Sequence, residues 1–132
     1  MKLLSGASYN FLRDCEEGNL AGVQKFIENK WKKKVILKYM SWILIPKTLS
    51  KKINLCKYKY SSNGYNPLHL AILSGNVKLI EYLIEVDKKL IYQKDDNGLS
   101  PFHLITLSTN SDIWREIVKK REFILFIEDI PN

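Results

Sequence analysis

Two histidines, two cysteines and a run of lysines hold most of the chemistry that this 132-residue chain offers. His69 and His103 suit general acid–base work, because imidazole alone has an ordinary pKa near neutrality. Cys15 suits nucleophilic attack, yet no histidine stands near it in sequence, and a thiol without a partner base is not a catalytic constellation. The sequence has no Gly-rich phosphate loop, no His-Glu-x-x-His and no clustered Cys/His spacing. It therefore reads as a non-enzyme, with no cofactor, metal or small-molecule substrate. Lys2 is followed by only Leu3 and Leu4 before Ser5 and Gly6, which is not a secretion signal. Cys15 and Cys56 are accordingly expected as reduced, partly buried thiols in a cytoplasmic monomer. The longest apolar run, residues 39–46, is far short of the ~18 residues of a membrane span.

The net charge of +7 is unevenly placed. Between Asn29 and Ile80 there is no Asp or Glu, and residues 30–60 carry ten lysines; the rest of the chain holds 11 basic against 14 acidic groups, a balance of −3. Lys32, Lys33, Lys34, Lys38, Lys51 and Lys52, with Trp42 among them and Trp31, Tyr39, Tyr58 and Tyr60 nearby, form a candidate surface for an anionic partner, either nucleic acid or a membrane. Against this stands the absence of arginine from the segment, since lysine gives poor bidentate recognition. A lysine-, isoleucine- and asparagine-rich composition is also what AT-rich codon usage produces.

The elements that place these groups are organised around residues 63–75, NGYNPLHLAILSG. Asn63-Gly64 predicts a type I′ turn. Pro67 suits a first helical position, Leu68–Leu73 is the short apolar helix, and Gly75 supplies a left-handed stop before Asn76 opens a second helix. The pattern recurs: Gly64, Pro67, His69 and Leu70 return as Gly98, Pro101, His103 and Leu104, all shifted by 34. In the second helix Leu79, Ile80, Leu83 and Ile84 map onto Ile113, Trp114, Ile117 and Val118, one buried stripe each. Upstream, Gly18-Asn19-Leu20 with Val23, Phe26 and Ile27 echoes Gly75-Asn76-Val77 with Ile80, Leu83 and Ile84, although Phe11–Cys15 replaces Pro-Leu-His there.

A hairpin, helix, tight turn and helix at this period, with Asn66-Pro67-Leu68-His69-Leu70-Ala71 at its centre, resembles the ankyrin repeat. The resemblance implies an all-α solenoid of about three helix-turn-helix repeats with short hairpin loops: repeat one at residues 8–30, a helical basic insertion at 31–60, repeat two at 61–94, repeat three at 95–120, and a tail at 121–132. It implies that Pro67, His69, Gly75, Pro101 and His103 are structural, the imidazoles bonding between hairpins, with Asn66 or Ser100 doing the work of the family's threonine. It further implies protein–protein recognition through hairpin tips and the exposed end of each first helix. Those positions are Ser62, Asn63, Tyr65, Leu73 and Ser74 in repeat two, and Asp96, Asn97, Leu99, Leu107 and Ser108 in repeat three. Tyr65, Leu73, Leu99 and Leu107 are expected to be exposed.

Within the remainder, Ser8 is a candidate N-cap for a helix to Glu17, and Leu20 to Asn29 is the second helix of repeat one. The insertion reads as a buttress extending that helix with its lysines solvated, or as the basic surface for an anionic partner. Pro46 is expected to end or kink it, with Thr48 or Ser50 capping a successor. Ile105 stands where the family has a small alanine, and Thr109-Asn110 must turn without glycine. The apolar run Phe123–Ile127 caps repeat three or meets another chain. Few, degenerate repeats with an insertion are similar in style to ankyrin proteins that intracellular bacteria or large viruses deliver into host cells as effectors.

Overall fold

The computed structural model describes the backbone of residues 6–39 and 53–107 and the side chains of residues 6–34 and 53–104. Five α-helices lie there: α1 (Gly6–Glu17), α2 (Leu20–Tyr39), α3 (Pro67–Ser74), α4 (Val77–Val86) and α5 (Pro101–Leu107), with a 3-10 turn at Lys88–Ile91. No strand forms among the described residues, and the fold is all-α.

Helix α3 is delimited by its own sequence. Pro67 occupies the first turn, where a missing N–H costs nothing. Asn66 Oδ1 accepts from the His69 N–H at 2.8 Å, and His69 Nδ1 accepts from the Asn66 N–H at 3.1 Å, a reciprocal cap of the kind in which two orphan donors are satisfied at once. At the other end Gly75 takes φ +82° and its N–H reaches the carbonyls of Ala71 and Ile72. Asn76 then caps α4, its side chain accepting from the Leu79 N–H at 3.3 Å. The turn between α1 and α2 has the same design: Gly18 is left-handed and Asn19 Oδ1 accepts from the Gly22 N–H at 3.1 Å.

The helix pairs stack through their first members, α1 on α3 and α3 on α5. One continuous core results. It takes Phe11, Leu12 and Cys15 from α1, Val23 and Ile27 from α2, Leu68, Leu70, Ala71 and Ile72 from α3, and Leu79, Ile80, Leu83 and Ile84 from α4. Each large side chain fully withdrawn from water contributes about 1.5–3 kcal/mol. Polar bonds also cross between the pairs: Asn76 Nδ2 donates to the Gly18 carbonyl at 2.8 Å, and the Asp96 N–H donates to the Asn63 carbonyl at 3.0 Å.

Several expectations are corrected. Helix α1 begins at Gly6, so Ser8 lies inside it rather than at its start. Helix α2 does not stop at Asn29 but continues for ten more residues, because no Gly or Pro interrupts 29–39 and Trp31 gives the extension a buried anchor at 9% exposure. The turn at Asn63-Gly64 is not a two-residue type I′ turn. Residues 61–64 form the loop, closed by Tyr60 N–H to the Tyr65 carbonyl at 3.1 Å and Gly64 N–H to the Tyr60 carbonyl at 2.8 Å. Asn63 contributes its side chain, Oδ1 accepting from the Tyr65 N–H at 3.0 Å, while Gly64 supplies the left-handed residue. The expectations for Pro46, Thr48, Ser50, Thr109-Asn110 and the 121–132 tail, and for the side chain of Ile105, lie outside the described residues.

Two glycines of this hairpin series make a testable pair. A Cβ on Gly64 would sit 2.5 Å from Asp96 Oδ1 and 2.9 Å from the Asp96 backbone nitrogen, whereas one on Gly98 would meet nothing within 4 Å. Both have positive φ and share a strain of about 1–2 kcal/mol on gaining a side chain. Gly64→Ala should therefore lower stability in denaturant titration by distinctly more than Gly98→Ala, because it also parts the two hairpins.

Candidate partner-binding surface

The polar residues that hold the hairpins over the helices come first, since they set how rigid the outer surface is. His69 is buried, accepts from the Asn66 N–H at Nδ1, and therefore carries its proton on Nε2, which donates to the Leu99 carbonyl at 2.8 Å. That bond ties α3 to the hairpin of the next repeat. Asn66 Nδ2 donates to the Leu90 carbonyl at 3.1 Å and to Gln93 Oε1 at 3.0 Å, and Gln93 Nε2 donates to the Cys56 carbonyl at 2.8 Å. At repeat three, His103 Nδ1 accepts from the Ser100 N–H at 3.0 Å, with the Ser100 hydroxyl also 3.0 Å away. Both imidazoles are thus engaged by their own hairpins, and Pro67 and Pro101 open the helices that carry them.

Burial lowers the pKa of His69 below its ordinary 6.5, opposed by the Leu99 carbonyl and the Asp95 carboxylate. Its folded pKa lies below its unfolded value, so the unfolded chain binds the extra proton. Its contribution is complete above pH 6.5 and is lost as pH falls towards the folded pKa. The ring resonances of His69 should titrate with a midpoint below 6.5, and melting temperature should fall through that window less steeply in His69→Gln than in the parent.

Sequence reading missed Asp87. Its Oδ2 accepts from the buried Leu55 N–H at 2.7 Å and from Cys56 Sγ at 3.7 Å, and its Oδ1 accepts from the Lys89 N–H at 3.1 Å. This one carboxylate pins the end of the insertion to the turn after α4. The bond to Lys89 is an ordinary local cap, whereas Leu55 and Cys56 lie more than thirty residues away and no local pattern points to them. Both cysteines are free thiols: burial and the neighbouring Asp87 charge push Cys56 up to about 11, and burial with Asp14 raises Cys15 further. Neither supplies a thiolate nucleophile at neutral pH.

On the outer surface, Ser62, Asp96 and Asn97 are exposed at the hairpin tips, and Asn63 is half-buried beside them. Leu73, near the end of α3, is 53% exposed, while Ser74 turns back so that its hydroxyl donates to the Ala71 carbonyl at 2.6 Å. Two positions expected to be exposed are not. Tyr65 is half-buried and stacks on His69 with ring centroids 5.4 Å apart, and Leu99 is half-buried against the core. The reason is the hairpin itself: His69 draws the Leu99 backbone inward, and Tyr65 covers the imidazole. Leu107 and Ser108 lie outside the residues whose side chains are described. One addition to the surface comes from repeat one, where Tyr9, 50% exposed, packs against Tyr60 at 6.2 Å and the Tyr60 hydroxyl donates to Glu16 Oε2 at 3.0 Å.

The lysine-rich candidates divide differently. Lys32, Lys33 and Lys34 are exposed on α2. Of the aromatics near them, Trp31 and Tyr58 are buried and Tyr60 is half-buried on Glu16, so none of these three is a free stacking platform. Lys51, Lys52, Trp42 and the side chains of Lys38 and Tyr39 lie outside the described residues. Among the described residues no helix is long and apolar enough to cross a membrane, and no group of three or more His, Cys, Asp or Glu is placed to hold a metal ion.

A family model for ankyrin repeats, in three copies, matches residues 13–125. No curated protein and no solved structure matches the chain.

Proposed function

The chain belongs to the ankyrin-repeat family, and on that premise we propose that it is a non-catalytic module that binds another protein through its hairpin tips and the exposed ends of its first helices. Ankyrin repeats typically mediate protein–protein interaction, and the family is generally non-catalytic. The observation that carries the assignment to this face is Leu73, a large apolar side chain 53% exposed near the end of α3, the first helix of the repeat whose hairpin presents Ser62. The hairpin tips of repeats two and three are joined by the Asp96–Asn63 backbone bond, which spares a partner the entropy of ordering them. A large apolar side chain left in water gains by burial against a partner.

Leu73→Ala should weaken capture of the protein partner by about 10–30-fold, the effect of losing ~1.4–2 kcal/mol at an anchor. Its melting temperature should stay within the range of a surface change, about 0.5 kcal/mol. Undiminished capture by the variant would remove Leu73 from the interface. A host-directed role rests on the few, degenerate repeats with their insertion, and recovery of the partner from host-cell lysate tests it.

A further inference from the structure

The sequence contains two Asn-Gly pairs, Asn63-Gly64 and Asn97-Gly98, one in each hairpin. Such a pair carries its own chemistry. The backbone nitrogen that follows an asparagine can attack the side-chain Cγ, and glycine, having no Cβ, hinders that approach least. The five-membered ring closes only when the glycine N–H leaves its hydrogen bond and the asparagine backbone turns, so the fold decides which pair reacts.

Asn63 is held on three sides. Its Oδ1 accepts from the Tyr65 N–H at 3.0 Å, its carbonyl accepts from the Asp96 N–H at 3.0 Å, and the Gly64 N–H donates to the Tyr60 carbonyl at 2.8 Å. Gly64 is buried, with Asp96 crowding the place a Cβ would take. Asn97 and Gly98 are both exposed, and nothing lies within 4 Å of the place a Cβ on Gly98 would take. The Gly98 N–H donates to the Asp95 carbonyl at 3.0 Å, and this is the bond that ring closure must open. The Asn97 N–H donates to Asp95 Oδ1 at 2.8 Å, but that nitrogen lies outside the ring that forms.

We propose that Asn97-Gly98 is a site of spontaneous deamidation in the folded chain, converting Asn97 to aspartate and isoaspartate while Asn63-Gly64 is protected. The Gly98 nitrogen bonds to Asn97 Cγ, the bond from Cγ to the amide nitrogen breaks, and ammonia leaves with the proton from Gly98. Water then adds across one of the two C–N bonds of the cyclic imide. One opening yields aspartate; the other yields isoaspartate, in which the main chain runs through the side-chain methylene.

Both products act on the clasp between repeats. Aspartate adds a third carboxylate next to Asp95 and Asp96. Isoaspartate lengthens the main chain between 95 and 99, where the Asp95 N–H donates to the Leu99 carbonyl at 2.9 Å and the Leu99 N–H donates to Asp95 Oδ1 at 2.9 Å. The same Leu99 carbonyl accepts from His69 Nε2, so the longer loop loosens the hold of α3 on the next hairpin. A change at this tip also alters the partner face; that consequence alone rests on the function proposed above, and the measurements that follow need only the free chain.

The test is incubation of the full chain in mildly alkaline buffer, native and in denaturant, with peptide mass spectrometry following the replacement of the amide nitrogen by oxygen at each pair. In the native chain Asn97 should convert roughly tenfold or more faster than Asn63, which must release two further hydrogen bonds. In denaturant the two rates should be similar. Gly98→Ala should slow conversion at Asn97 severalfold, and Asn97→Gln should abolish it at that position. Comparable native rates at the two pairs, or conversion of Asn97 confined to the denatured chain, would overturn the site. Hydrogen exchange should quicken at 95–99 in the isoaspartate form and stay near the parent's in Asn97→Asp, which adds the charge without the methylene. Unchanged exchange in the isoaspartate form would overturn the loosening of the clasp.

Discussion

Replacing Leu83 with aspartate should leave the domain unfolded at room temperature. Leu83 is fully buried in the stripe that α4 turns towards the rest of the stack, with Leu79, Ile80 and Ile84 around it. A carboxylate there has no cation or hydrogen-bond donor to replace water, and an unpaired buried charge is among the few single changes that cost more than about 4–5 kcal/mol. A domain of this size has about 5–15 kcal/mol in total. Far-UV circular dichroism of Leu83→Asp should show the helical signal largely gone, whereas Leu83→Ala, which loses about 2–5 kcal/mol, should remain folded with a lower melting temperature. A folded Leu83→Asp protein would mean that the stripe is not a shared core.

The second large effect is expected at Asp87. Truncation to alanine removes the acceptor for the Leu55 and Lys89 N–H groups together, and the first of these is buried. Hydrogen bonds to an ionised acceptor are worth about 1.5–3 kcal/mol each, and a buried donor left without one carries its full desolvation cost. Asp87→Ala should therefore lose about 3–4 kcal/mol in denaturant titration. Hydrogen exchange should show the loss concentrated in 53–60, because Asp87 ties that segment to the turn after α4. Deleting residues 31–55 would go further, since Trp31 and Leu55 are both core residues. Equal melting temperatures for intact and deleted chains would contradict a buttressing role for that segment.

The parts of this fold that were legible in the sequence are those governed by short-range rules. Asn66, Pro67, Gly75 and Asn76 act on backbone groups within four residues, so their types announce the ends of α3 and the start of α4. The stripe Leu79, Ile80, Leu83, Ile84 likewise follows from helical period alone. What escaped depends on distance in sequence or on an absent stop signal. Helix α2 runs past Asn29, where the repeat's usual length ends it, because the residues that follow contain nothing to break a helix; an extension of this helix is one of the two readings the insertion allows. Asp87 and Gln93 join Leu55 and Cys56 across more than thirty residues, with no local pattern to betray them.

The candidate site was legible in outline only. Hairpin tips were placed by turn chemistry, and Ser62, Asp96 and Asn97 are exposed there. Tyr65 and Leu99 are less exposed than their repeat positions imply, because their burial depends on His69, whose ring stacks on one and whose Nε2 holds the carbonyl of the other. Position in a repeat does not reveal such a clasp; three-dimensional contact does. The rings of Tyr58 and Trp31 show the converse, since aromatics among lysines suggested a stacking surface and turned out to be core.

Hydrogen–deuterium exchange on the complex with the captured protein partner tests the binding face most directly. The account predicts slowed exchange at 62–65, 73–76 and 95–98, the hairpin tips and the end of α3, with the backbone of 30–34 unchanged. Protection confined to 30–34 and 57–59, with the hairpin tips exchanging as in the free chain, would contradict it.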